Sequence, residues 1–65
     1  MQDWQQRVVE ERAELHKKLL ALFEFLWTEP FLALHTLDQQ LLVAQYRHMK
    51  DYQSILDTRI GRFVP

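Results

Sequence analysis

Apolar residues recur along this chain in two helical runs, separated by a stretch that carries a proline. From Gln2 to Trp27 neither Pro nor Gly interrupts the pattern. One seam steps by four and three through Val8, Arg12, Leu15, Leu19, Leu22 and Leu26. A second, one residue on, runs through Val9, Ala13, His16, Leu20, Phe23 and Trp27. Neighbouring residues on a helix are about 100° apart, so the two seams together make a broad apolar side. A single partner helix occupies only one such seam. Helix one is therefore expected to have at least two neighbours, and the nearly uncharged stretch LLALFEFLW, broken only by Glu24, makes the same point.

The remaining side of this helix carries Arg7, Glu10, Glu11, Glu14, Lys17 and Lys18. Such a charged run is the ordinary solvated face of a helix, with i,i+4 pairs such as Glu14 and Lys18 adding a few tenths of a kcal/mol. Asp3 suits the positive end of the helix dipole. Pro30 disfavours helical geometry at Glu29 and lacks an N–H, which ends the run near Trp27. Phe31, Leu32 and Leu34 are too apolar for a free loop and predict a turn that caps the bundle end. Thr36 with Gln39 has the spacing of a capping box, and Gly61 is a stop signal. The pattern thus predicts a helix over 2–27, a connection over 28–36, a second helix over 37–60 and a short tail over 61–65.

Helix two offers a seam of Leu42, Gln45, Met49, Tyr52, Leu56 and Ile60, flanked by Leu41, Ala44, His48 and Ile55. Two helices of about 36 Å each match as an antiparallel hairpin. That pairing sets Trp4 and Val8 near Ile60 and Phe63, and Phe23 near Leu41 and Leu42. A lone hairpin leaves one seam of helix one wet. The fold class expected is all-α, a two-helix antiparallel hairpin assembling into a homo-oligomeric bundle, with Val9, Ala13, His16, Leu20, Phe23 and Trp27 as the subunit interface.

Composition sharpens this expectation. A chain of 65 residues is marginal when it must bury a core alone. Cys is absent, so no disulfide or thiolate metal site compensates, and oligomerisation is the support that remains. Eight Lys and Arg against nine Asp and Glu are mixed in sequence, which argues against a DNA- or RNA-binding stripe. MQDWQQR does not resemble a secretory signal. LLALFEFLW falls far short of the ~20 apolar residues a membrane span needs. A soluble protein of a reducing cytoplasm, with no membrane partner, is the expectation.

Little here is equipped for chemistry. No Glu is followed by His three residues on, and the three histidines do not share a face at i,i+4, so no metal is expected. There is no Cys nucleophile or Gly-rich phosphate loop, and nothing sets a base beside the lone Ser54. Neither catalysis nor a cofactor is expected. Arg12, His16, Gln45 and His48 are polar groups at seam positions, where such residues commonly fix register. The functional alternative is a polar pocket where chains meet. Arg7, Arg12, Lys18, Arg47 and Arg59 are available for phosphate there, with Trp4, Tyr46 or Tyr52 stacking on a base. For Arg47, Lys50, Arg59 and Arg62 a solvated face is the plain reading, and an anionic-ligand surface is the other.

The spaced positions Trp4, Arg7, Val8, Glu11, Leu15, Lys18, Leu22 and Phe25 are followed by Phe31 and Leu34. Leu41, Leu42, Gln45, Met49, Tyr52, Ile55, Leu56, Arg59 and Ile60 complete the pattern. It resembles a family of small tailed-bacteriophage proteins named for an open reading frame of a crAss-like phage. The resemblance implies a viral product acting in the cytoplasm of an infected bacterium. In size, helicity and implied oligomerisation the chain is also similar to phage anti-defence proteins that sequester cyclic nucleotide or cyclic ADP-ribose signals between subunits. That likeness is one of architecture. The function it implies is a sponge that holds a nucleotide-derived immune signal without cleaving it. The alternative is a protein-binding module that docks on a host defence protein or a viral one through a patch such as Phe25, Val43 and Tyr46.

Overall fold

A computed structural model describes residues 2–63. They are helical almost throughout: α1 spans Asp3–Phe25, a single-turn α2 spans Glu29–Leu32, and α3 spans Thr36–Gly61. Among the described residues there is no strand. The Gln2 N–H donates to Gln5 Oε1 at 2.9 Å and fixes the start of α1. The helix ends at Phe25, short of the Trp27 that its apolar run predicts. Leu26 is the C-cap, and Trp27 and Thr28 N–H groups bond to Glu24 and Phe25 carbonyls in a tightened last turn.

The connection is a built element. Thr28 caps α2, its Oγ1 accepting from the Phe31 N–H at 3.3 Å and donating to the Phe25 carbonyl at 2.7 Å. Pro30 falls in the first turn of α2, where a missing N–H costs nothing. Phe31 is buried and meets Phe25 edge to face at 6.0 Å, so the bend is closed by its own apolar residues, as expected. The α3 cap differs from the one predicted. His35 is the N-cap, its Nδ1 accepting from the Leu37 N–H at 3.0 Å. Gln39 does not close a box with Thr36; its Nε2 donates to the Leu32 and Leu34 carbonyls, which the end of α2 would otherwise leave unpaired. At the far end α3 runs through Gly61, which takes no positive φ, and is capped by Arg62.

α1 and α3 lie side by side in opposite directions. Trp4 meets Phe63, Arg12 meets Asp57, His16 meets Gln53 and Phe23 meets Tyr46. The core is the first seam of α1: Val8, Leu15 and Leu19 are buried, and Val8 and Leu15 cluster with Leu56, Met49, Ile60 and Phe63. Among the described residues Leu56 alone is fully enclosed. Trp4 and Val8 reach Phe63 and Ile60 as predicted. Phe23 stacks on Tyr46 instead of lying by Leu41 and Leu42, with ring centroids 5.7 Å apart. The helical turn spent in α2 lets α3 begin beyond the end of α1, which leaves Leu37 and Leu41 exposed.

The seam of α3 is also rotated. Leu42, Met49, Leu56 and Ile60 face inward or are partly buried, but Tyr46 and Gln53 replace Gln45 and Tyr52 between them. Both lines step by four and three, so spacing does not distinguish them. The inner places go to Tyr46, which finds the Phe23 ring, and to Gln53, which satisfies His16. Gln45 and Tyr52 are exposed.

With extents of 49 × 15 × 14 Å the molecule is a narrow rod made of a single helix pair. Its radius of gyration is 15.0 Å, against about 11 Å for a compact domain of this length. Both broad faces of the helix pair therefore lie open.

Candidate functional site, an aromatic and basic groove at the bend

The second seam of α1 is where the shortfall of core shows most. Leu20, Phe23 and Trp27 are exposed large apolar residues, Trp27 at 78%. Ala13 is exposed, and Val9 and His16 are half-buried. His16 is engaged within the chain, its Nδ1 lying 3.0 Å from Gln53 Oε1. The ring therefore donates to the amide oxygen and ties α1 to α3.

Toward the bend this seam runs into a groove of about 420 Å³ between the end of α1 and the first half of α3. Phe23, Trp27, Phe31, Val43 and Tyr46 make its apolar wall, and Arg47 and Lys50 stand at its edge. The volume falls within the ~300–1,000 Å³ typical of small-molecule sites. Phe23 is the hinge of the wall, meeting Trp27 at 6.0 Å and Tyr46 at 5.7 Å between centroids. Lys50 Nζ sits 5.9 Å from the Tyr46 ring centroid, a cation over an aromatic face. A neighbouring cleft of about 520 Å³ shares Phe31, Val43 and Arg47, so the groove continues along α3 toward Thr36. No carboxylate lines either part. An aromatic wall beside two cations suits a flat heterocycle that carries negative charge.

The residues singled out from the sequence divide among several places. Tyr46 and Arg47 lie in the groove. Trp4 and Arg59 lie at the opposite end of the helix pair, lining a cleft of about 360 Å³ with Arg62 and Phe63. Arg12 is already engaged, its Nε 2.8 Å from Asp57 Oδ1. Arg7 and Lys18 sit on the charged side of α1, and Tyr52 is exposed on another side of α3. The patch of Phe25, Val43 and Tyr46 is also divided, because Phe25 packs on Phe31 while Val43 and Tyr46 line the groove. Phe23, Trp27 and Lys50 belong to the groove as well. Phe23 and Trp27 were legible only as interface residues, and Lys50 only as part of a positive stretch. Among the described residues no three His, Asp or Glu gather as a metal site, and no helix is long and apolar enough to cross a membrane.

Comparison with known proteins places this geometry in a viral setting. An uncharacterized 7.5 kDa protein from the denB–rIIB intergenic region of Enterobacteria phage T4 is 40% identical over 60 residues, covering 92% of this chain and 94% of that protein. No solved structure matches the chain. The model of one family, described as Sequestin, matches residues 2–62, which is nearly all of the chain. The chain belongs to the Sequestin family of small phage proteins.

Proposed function

We propose that this protein is a phage-encoded sponge: a homo-oligomer of helical hairpins that binds a nucleotide-derived bacterial immune signal, of the cyclic oligonucleotide or cyclic ADP-ribose type, and holds it uncleaved in the host cytoplasm. The observation that carries the reading is the groove of Phe23, Trp27 and Tyr46 with Arg47 and Lys50 at its edge. A base stacks on the aromatic wall and phosphates pair with the two cations. The family's name speaks of sequestration, and a relative comes from a phage. The groove adjoins the exposed seam of α1, so a second subunit packed on Leu20 and Phe23 deepens it and shields the ligand from water. No nucleophile, metal set or phosphate loop accompanies it, and binding needs none of these.

Calorimetric titration against a panel of cyclic di- and trinucleotides and cyclic ADP-ribose isomers tests the proposal. The expected outcome is one member bound more tightly than about 10 μM, equivalent to ~7 kcal/mol. Heating the complex then releases that member chemically unchanged, as chromatography shows. Trp27→Ala and Arg47→Glu each weaken binding at least tenfold, whereas Lys17→Ala leaves it unchanged. Absence of binding across the panel, or recovery of a cleaved product, contradicts the proposal.

A further inference from the structure

The groove side accounts for one exposed apolar seam; α3 carries another. Leu37, Leu41, Gln45, His48, Tyr52, Ile55 and Arg59 follow one another by steps of four and three, and all are exposed. Leu37, Leu41, Tyr52 and Ile55 are large apolar members at 56, 58, 41 and 59% exposure. At about 100° per residue, this line is turned roughly a quarter-turn from the inward line of α3. The second seam of α1 is turned by a similar angle from its own inward line, in the opposite sense. In an antiparallel pair, rotations of the same sense lead to the same side, as the groove shared by Phe23 and Trp27 with Val43, Arg47 and Lys50 shows. Opposite senses lead to opposite sides. The two seams therefore look out from opposite sides of the helix pair, whose short extents are 15 and 14 Å.

We propose that α3 pairs through this line with α3 of a second copy, antiparallel, about a two-fold axis passing close to His48. Three observations select that occupant. First, the line is nearly symmetric about His48: Leu41 precedes it by as many residues as Ile55 follows it, and Leu37 and Arg59 are likewise matched. A two-fold axis there sets Leu41 of each copy against Ile55 of the other and brings His48 to its own symmetry mate. Second, charge is complementary in this register, because Arg59 of one copy arrives beside Leu37 and Asp38 of the other. Third, along most of this side α1 offers Arg7, Glu11, Glu14 and Lys18, with exposed Trp4 and Ala21 only toward its two ends, so most of the apolar contact comes from α3. Self-complementarity about an axis is the mark of an isologous interface.

The consequence concerns assembly and stands whether or not the groove binds a nucleotide. A dimer formed through either face leaves the other open. Closing both, each about its own two-fold axis, gives a tetramer of dihedral symmetry.

Because the chain has no Cys, a single cysteine reports this geometry without interference. His48→Cys is expected to give disulfide-linked dimers under mild oxidation, since a residue on the axis meets itself within disulfide reach. Lys17→Cys, on the charged side of α1, stays single under the same conditions. In sedimentation equilibrium Ile55→Glu is expected to halve the mass of the assembly, as is Leu20→Glu on the other face, and the two together give single chains. Circular dichroism keeps the reading free of misfolding, because both positions are exposed and helix content should not change. Crosslinking of His48→Cys no faster than Lys17→Cys overturns the proposal. So does an unchanged mass for Ile55→Glu, which assigns the face to some other occupant.

Discussion

The two seams of α1 differ by one residue in the sequence and by nearly everything in their surroundings. Val8, Leu15 and Leu19 are buried against α3, while Leu20, Phe23 and Trp27, equally apolar and equally spaced, are exposed. Neither composition nor periodicity separates them. What separates them is that the chain contains one helix long enough to cover α1, and that helix has only one inward side. Burial removes apolar surface from water at about 25 cal/mol per Å², so the inner seam stabilises the chain, while the outer seam is the surface on which the proposed second subunit would pack. The comparison teaches that in a single helix pair a hydrophobic pattern reports how many apolar faces a helix has, and not which of them its own chain covers.

Charge placed on each seam breaks the comparison most sharply. Leu15→Glu buries a carboxylate without a partner and is expected to abolish the helical signal at 222 nm. Leu20→Glu is expected to keep that signal at high protein concentration and lower the mass seen by light scattering. Equal unfolding of both variants would show that the outer seam belongs to the monomer's own core. Next in size is a cavity at Leu56, which is fully enclosed. Leu56→Ala should cost about 2–5 kcal/mol, read from the urea midpoint; Ile55→Ala, exposed beside it, should cost far less in the dissociated chain.

Smaller effects separate the helix-pairing contacts from surface decoration. Arg12→Ala removes the 2.8 Å pair with Asp57, whose side chains are one third and one half exposed. Its expected cost is about 0.2–1 kcal/mol, shrinking as salt is raised. Glu14→Ala, which removes the exposed pair with Lys17 at 3.2 Å, should change stability by less than ~0.5 kcal/mol. A larger cost for Glu14 than for Arg12 would contradict the assignment of the charged side of α1 to solvent.

The helices, the bend at Pro30 and the pairing of Trp4 with Phe63 were legible from periodicity and stop signals. The rotation of α3 was not, because Gln45 and Tyr46, or Tyr52 and Gln53, satisfy the same spacing. Only the match of Tyr46 to Phe23 and of Gln53 to His16 decides between them, and both matches lie across a register that a single sequence does not state. The site was half legible for the same reason. Tyr46 and Arg47 were named for their chemistry, but Trp27 and Lys50 join them only because α1 ends early and α2 folds Phe31 beneath the groove. Arg12 looked available until the register placed Asp57 beside it.

The central claim is that the outer seam of α1 is covered by another copy of the chain. Sedimentation equilibrium of the unmodified protein at micromolar concentration tests it most directly. The account predicts a mass at least twice that of one chain, falling toward the single-chain value in Leu20→Glu combined with Ile55→Glu. A stable, folded monomer of the unmodified protein at that concentration would contradict it.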